Sequence, residues 1–254
     1  MEFTVTAYLA QTKIINLRPF FQRQLQKMKP ILLLHGALGA QDQFDALAAR
    51  LSENYAVHRL NFSGHGPDTV MPEAFLPEVF VNDVLQYLAD NGLDSANIFG
   101  YSMGGYIALM LALRYPERIS AVLTLGTKMD WNPEAAAREA AMLNPDKILE
   151  KVPAFAKALQ QRHGESRWRT VLEKTAGMMQ YLGEYCPLDE AALRAVAIPV
   201  TVALADADEM VRREEAVQAA EWIPGARFEV LEGGRHAIER CPVEGVVEVI
   251  RRYL

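Results

Sequence analysis

A serine flanked by two glycines, Gly100-Tyr101-Ser102-Met103-Gly104, is the stretch of this sequence best suited to chemistry. An apolar, β-prone run (Ala96 to Gly100) leads into it and a helical pattern (Met103 to Tyr115) leads out, so Ser102 belongs on a strand-to-helix turn. Such a turn is tight, and glycines two residues before and after the serine let strand and helix approach. A capping serine in a glycine-rich turn looks similar locally, so a nucleophilic serine has to be argued from its partners. A hydroxyl is a poor nucleophile near neutral pH and requires a base within hydrogen-bond reach, itself oriented by a carboxylate. Among the histidines, His35 ends a strand, His58 lies within one, His65 occupies a turn and His163 falls in the strand-free stretch between Gly126 and Pro199. His236 follows the last predicted strand, where a loop can fold back over Ser102, and His65 is the reserve. Candidate acids are Asp206 and Asp208, after the run Val200 to Ala205, and Asp130, after Ala121 to Gly126. The oxyanion formed when serine attacks a carbonyl requires two donors. The Met103 amide at the helix start and the Ala37 amide in His35-Gly36-Ala37-Leu38-Gly39 occupy the required places.

The elements that must position these residues alternate along the chain. Strand-like runs (Ile31 to Leu34, Ala56 to Phe62, Ala96 to Gly100, Ala121 to Gly126, Val200 to Ala205, Phe228 to Leu231) are separated by helical patterns such as Phe44 to Glu53, Phe75 to Asp90, Met103 to Tyr115 and Arg213 to Trp222. Parallel strands need long crossovers, so this order predicts a mostly parallel sheet with helices on both faces, and functional residues just after strands. The alternation breaks once. Residues 127–195 hold four helical patterns, Pro133 to Leu143, Pro145 to Gln161, Ser166 to Leu182 and Leu188 to Val196, and no convincing strand. The expected division is therefore a core of residues 1–126 and 196–254, with 127–195 inserted as a helical cap.

Composition excludes several partners. The chain has 254 residues, 50% hydrophobic and 23% charged, as ordinary globular proteins do. The formal net charge is −6, with no basic cluster interleaved with aromatics, which argues against nucleic acid. The longest apolar run, Tyr106 to Leu113, is far shorter than the roughly 20 residues of a membrane helix. The N-terminal residues lack a secretory pattern, so the expectation is a cytoplasmic protein acting on a small-molecule substrate. Cys186 and Cys241 have no Cys or His partner at ligand spacing, so neither a zinc site nor a redox pair is expected.

The segments LLLHGALG (32–39), NFSGHG (61–66), FGYSMGG (99–105), ALADADEMV (203–211) and GGRHAIE (233–239), in the order serine, acid, histidine, resemble the α/β-hydrolase fold superfamily, in the group with a helical cap. The resemblance implies an eight-stranded sheet, hydrolytic chemistry and no cofactor or metal. Its pattern G-x-x-D-x-x-V maps onto Ala205 to Val211 and puts the acid at Asp208, with alanine for the usual glycine. Asn61 stands where many members have aspartate, and FTVTAYL and TKIINL would be the first two strands. Relatives that use an aspartate nucleophile are excluded by Ser102. The cap is neutral and rich in Met and aromatic residues, which suggests a pocket for an apolar group, with Leu38, Met129, Trp131 and Met178 as candidate contacts. The expected activity is hydrolysis of carboxylic esters with a small or medium apolar group. Thioesterase, carbon–carbon hydrolase and acyltransferase chemistry use the same residues, and a ligand-binding pseudoenzyme is the non-enzymatic alternative.

Overall fold

A computed structural model describes residues 28–254 of the chain. Among these residues one sheet has six strands: β1 (Lys29–Leu34), β2 (Tyr55–Arg59), β3 (Ala96–Tyr101), β4 (Ile119–Leu125), β5 (Val200–Ala205) and β6 (Arg227–Leu231). All neighbours pair in parallel, in the order β2-β1-β3-β4-β5-β6. The expected count of eight is thus corrected to six for the described residues; the other two strands, FTVTAYL and TKIINL, fall outside them.

Strand β3 is buried along its whole length, as expected of a parallel strand covered on both faces. Successive side chains point to opposite faces, and the core divides accordingly. Leu32, Leu34, Ile98, Val122 and Val202 pack with α2 (Pro77–Asp90), α3 (Met103–Arg114) and α9 (Arg213–Trp222). Ile31, Leu33, Phe99, Leu123 and Ala203 pack with α1 (Asp45–Leu51) and α10 (Val243–Tyr253). Truncating a residue sealed in this layer, such as Ile98 to alanine, should cost about 2–5 kcal/mol. Strand β2 ends at Arg59, earlier than the predicted Phe62, because the chain leaves the sheet and the Phe62 amide bonds His35 Nε2 at 3.2 Å.

Between β4 and β5 lie α4 (Pro133–Ala141), α5 (Pro145–Lys151), α6 (Pro153–His163), α7 (Trp168–Glu184) and α8 (Glu190–Arg194). Their starts are locally encoded. Asn132, Asn144 and Asp189 accept hydrogen bonds from the amides of Ala135, Lys147 and Ala192, and prolines open α4, α5 and α6. The single helix expected over Pro145 to Gln161 is two, α5 and α6. Pro153 has no amide to donate and disfavours helix at the preceding residue, so Val152 turns to φ −137°, ψ 58°. Ile148, Ala156, Leu159, Trp168 and Leu172 form a small core among these helices, while Val171, Met178 and Leu182 of α7 join the main one. Among the described residues no helix is long and apolar enough to cross a membrane.

Candidate active site

The chain runs from β1 to β2 on one side, then returns to place β3 on the other. This reversal opens a crevice beyond the carboxyl ends of β1 and β3, where open α/β sheets bind ligands. Leu34 is in register with Gly100, so the turn after β1 and the turn after β3 lie side by side. Ser102 occupies the second turn at φ 51°, ψ −117°, a left-handed conformation that a residue with a side chain adopts at a cost on the order of 1–3 kcal/mol. Its amide donates to the Leu125 carbonyl at 2.8 Å, and Thr127 Oγ1 donates to its carbonyl at 3.0 Å. The flanking glycines are required by contact: a Cβ on Gly104 would stand 2.2 Å from the Leu34 carbonyl oxygen, and one on Gly100 would stand 2.5 Å from that of Gly104.

The loop after β6 brings His236 back over this turn, with Nε2 3.3 Å from Ser102 Oγ. On its other edge His236 Nδ1–H donates to Asp208 Oδ2 at 2.9 Å. The carboxylate accepts on that side, which leaves the Nε2 lone pair for the serine proton. Asp208 is itself fixed, since Oδ1 accepts from the Met210 and Val211 amides, each at 2.9 Å. Burial pushes its carboxyl up, but the bonds from His236 and the two amides together hold it below the usual value. Asp206 points elsewhere. It accepts from the Gly234 amide at 3.1 Å, and the Gly233 and Gly234 amides hold its carboxyl low, so it fastens the turn after β6. Asp130 is exposed and pairs with Arg212 at 2.9 Å. The reserve base His65 is buried, stacks on Phe75 and uses Nδ1–H to bond the Ser63 carbonyl at 3.2 Å.

Ala37 and Met103 line the same cavity as Ser102, and among the described residues neither amide donates to another group. The Ala37 turn closes with the Gly39 amide on the Gly36 carbonyl at 3.1 Å. His35 Nδ1–H donates to that same carbonyl at 2.8 Å, and this bond fixes the peptide plane whose N–H is that of Ala37. Leu38 follows at φ 59°, so the turn carries a side chain where glycine is usual.

The cavity over Ser102 encloses about 450 Å³, including the part open to solvent. Trp131 and Met178 line it with Met179 and Leu182, as expected of an apolar pocket; Leu38 and Met129 do not. Leu38 packs against the small core formed by α5, α6 and α7, and Met129 is buried with its amide on Glu215 Oε1 at 2.6 Å. Lys128, which sequence reasoning missed, lines the cavity. Its Nζ lies 3.9 Å from each of the Glu139 and Glu215 carboxylates. Two buried carboxylates beside one ammonium leave the wall no net positive charge. The only signal in the sequence was position, three residues past the end of β4. Among the described residues no three His, Cys, Asp or Glu side chains converge as metal ligands do.

The family model for the alpha/beta hydrolase fold matches residues 29–175. RutD of Pseudomonas savastanoi pv. phaseolicola, provisionally named a carbamate hydrolase, is 25% identical over 227 residues, which cover 82% of this chain and 87% of that one. Ethanol acetyltransferase 1 of Kluyveromyces marxianus is 24% identical over 181 residues, 69% of this chain and 47% of that protein. The chain spans 35% to 47% of the length of the first three curated relatives it matches. An esterase of Thermogutta terrifontis superposes with a TM-score of 0.73 at 22% identity, covering 89% of each chain, a likeness of fold. With most of its described core, the elbow strand included, inside the matched region, the chain belongs to the alpha/beta hydrolase fold family.

Proposed function

We propose that the protein is a serine hydrolase that cleaves carboxylic esters carrying a small or medium apolar group, with residues 127–195 acting as its lid. The observation that carries this reading is the continuous hydrogen-bond chain from Ser102 Oγ through His236 to Asp208. In the first half-reaction Ser102 Oγ attacks the ester carbonyl while His236 Nε2 takes its proton. The Ala37 and Met103 amides hold the resulting oxyanion, a contribution on the order of 10²- to 10³-fold in rate per donor. The tetrahedral intermediate collapses, His236 protonates the departing alkoxide, and an acyl-serine remains. Water then attacks with His236 as base, and the serine regains its proton as the acid leaves. Asp208 keeps the imidazole in the required tautomer and stabilises its protonated form.

Fluorophosphonate labelling followed by peptide mass spectrometry tests the reading. The expected result is a single adduct on Ser102 that disappears in Ser102→Ala. Folded protein without an adduct would leave a ligand-binding protein as the better account. A chain-length series of p-nitrophenyl esters beside acyl-CoA thioesters then grades the substrate, with short to medium acyl esters expected to be fastest. The likeness to an ethanol acetyltransferase supports one second reading, in which an alcohol resolves the acyl-serine in place of water. Product analysis in dilute ethanol separates them: free acid for a hydrolase, ethyl ester for an acyltransferase.

A further inference from the structure

The junction of α6 and α7 reaches back into the core at three places. Arg167 bonds the carbonyls of Gly64, Pro67 and Thr69. Arg162 donates to Glu239, three residues beyond His236, at 3.1 Å, and to the Leu38 carbonyl at 3.4 Å. His163 is fully buried and uses both ring nitrogens. Nδ1 accepts from the Gly66 amide at 3.0 Å, and Nε2–H donates to the Leu38 carbonyl at 3.0 Å. An amide can only donate and a carbonyl only accept, so the two partners select the neutral imidazole with its proton on Nε2. Burial agrees, pushing this histidine down to about 4.

The bonds matter because of what lies between them. On one side of Ala37 the Gly36 carbonyl is held from within the core, by His35 and the Gly39 amide. On the other side Leu38 stands at φ 59°, a conformation residues with side chains avoid, and among the described residues its carbonyl is bonded by Arg162 and His163 alone. Both belong to the insertion. We propose that His163 is a positioning residue for the oxyanion turn: seating α6 on the core holds Leu38 in its left-handed conformation and so aims the Ala37 amide at the carbonyl attacked by Ser102. Turnover is thereby coupled to lid seating, since an insertion lifted from the core leaves the turn with one bracket in place of two. This rests on the serine-hydrolase reading and adds a residue to it.

His163→Phe keeps a ring in place and removes both bonds. With p-nitrophenyl butyrate the expected result is a kcat lowered about tenfold, less than the 10²- to 10³-fold lost when a donor is removed outright, with KM within about twofold. Affinity for butylboronic acid, whose tetrahedral adduct on serine places an oxygen before the same donors, should fall by the factor seen in kcat/KM, while affinity for butyrate holds. His163→Gln, carrying one donor and one acceptor, should recover part of kcat. Exchange of the Gly66 amide, read without any reference to catalysis, should accelerate in His163→Phe. Equal weakening of boronate and butyrate would mean a generally loosened lid and would overturn the proposal, as would unchanged boronate affinity. If His163→Phe does not fold, Arg162→Met removes the second donor to Leu38 and should give the same pattern at smaller amplitude; no change there overturns it equally. Wild-type protein unreactive toward fluorophosphonate at Ser102 removes the serine-hydrolase reading and this proposal with it, whereas reactive wild type and a variant of unaltered boronate affinity remove only the role of His163.

Discussion

His236, from a core loop, and His163, from the inserted helices, each spend both ring nitrogens on hydrogen bonds, and the difference between them lies in the partners. His236 stands between a hydroxyl and a carboxylate, so a proton can arrive on one side while a negative charge stabilises the cation from the other. His163 stands between an amide and a carbonyl, neither of which is an acid or base near neutral pH or carries a full charge. His35 is placed like His163, with the Phe62 amide on one nitrogen and the Gly36 carbonyl on the other, and burial pushes it down to about 3. His65 also lies well below the ordinary value for the same first cause. In the proposed mechanism one residue type thus serves two purposes: with a carboxylate it moves protons, and without one it braces backbone. The contrast is open to direct attack.

The largest effects should fall on the residues proposed to move protons. Ser102→Ala and His236→Ala are each expected to lower kcat by about 10⁶-fold, the scale seen when such a unit loses its nucleophile or base. Asp208→Asn should retain the fold yet lose about 10⁴-fold, because the amide can present the wrong group to His236 Nδ1. Asp206→Asn and Asp130→Asn should remain within about tenfold of wild type, since one fastens a turn and the other pairs with Arg212 at the surface. Steady-state rates on one p-nitrophenyl ester, beside circular dichroism, check the series. A severe loss in Asp206→Asn with Asp208→Asn nearly intact would break the assignment of the acid.

Much of this was legible because it is local. Alternating strand and helix patterns located all six described strands, and Gly100 and Gly104 flag a turn whose steric demand the structure makes explicit. Spacing left Asp206 and Asp208 open, because what separates them is the direction each carboxylate takes from the end of β5. Pro153 divides the stretch Pro145 to Gln161, read as one helix, because a proline has no amide for a helix interior; the break lies in the residue type and was not taken up. The bracing histidines were the least legible. A bond from His163 to Leu38 crosses 125 residues, and no periodicity or motif encodes a contact of that separation. Lys128 was hidden for a related reason: the insertion balances its charges overall, and only folding gathers Glu139 and Glu215 around one of them.

A smaller, graded effect should appear in stability against pH. Burial pushes His35 down to about 3 and His163 down to about 4, and lowers His65 as well, so as pH falls from 6.5 towards 4 the unfolded chain binds protons that the folded protein refuses. Their contribution is therefore full above pH 6.5 and is lost as pH falls below it, by about 1.4 kcal/mol per pH unit for each of His35 and His163. Asp208, held low, loses its contribution only below the window, and Asp83, raised first by burial, acts in the opposite direction near the carboxylate range. Urea midpoints at pH 7 and pH 5 should differ by an amount equivalent to several kcal/mol, a large share of the 5–15 kcal/mol typical of a folded domain. His163→Phe should make that difference smaller; an unchanged slope would mean this buried imidazole accepts a proton after all.

The smallest effect is expected at His58, which makes it the control for the comparison. It lies on β2, at the edge of the sheet, half-buried, with Nδ1 3.2 Å from the Tyr87 hydroxyl and its ring edge-on to that tyrosine at 5.9 Å. Burial lowers its pKa, as it does for the bracing histidines, yet among the described residues no backbone group bonds its ring. Replacing it with phenylalanine removes one hydrogen bond worth about 0.5–1.5 kcal/mol net. Phenylalanine returns part of that through its preference for strands and its extra apolar surface. The net change should therefore stay within about 1 kcal/mol, with kcat/KM unchanged and most of the acid sensitivity retained. Measured beside His163→Phe, it separates burial from bracing: if the two variants lose stability and turnover alike, an imidazole's burial alone explains its effect, and the two backbone bonds of His163 carry no special weight.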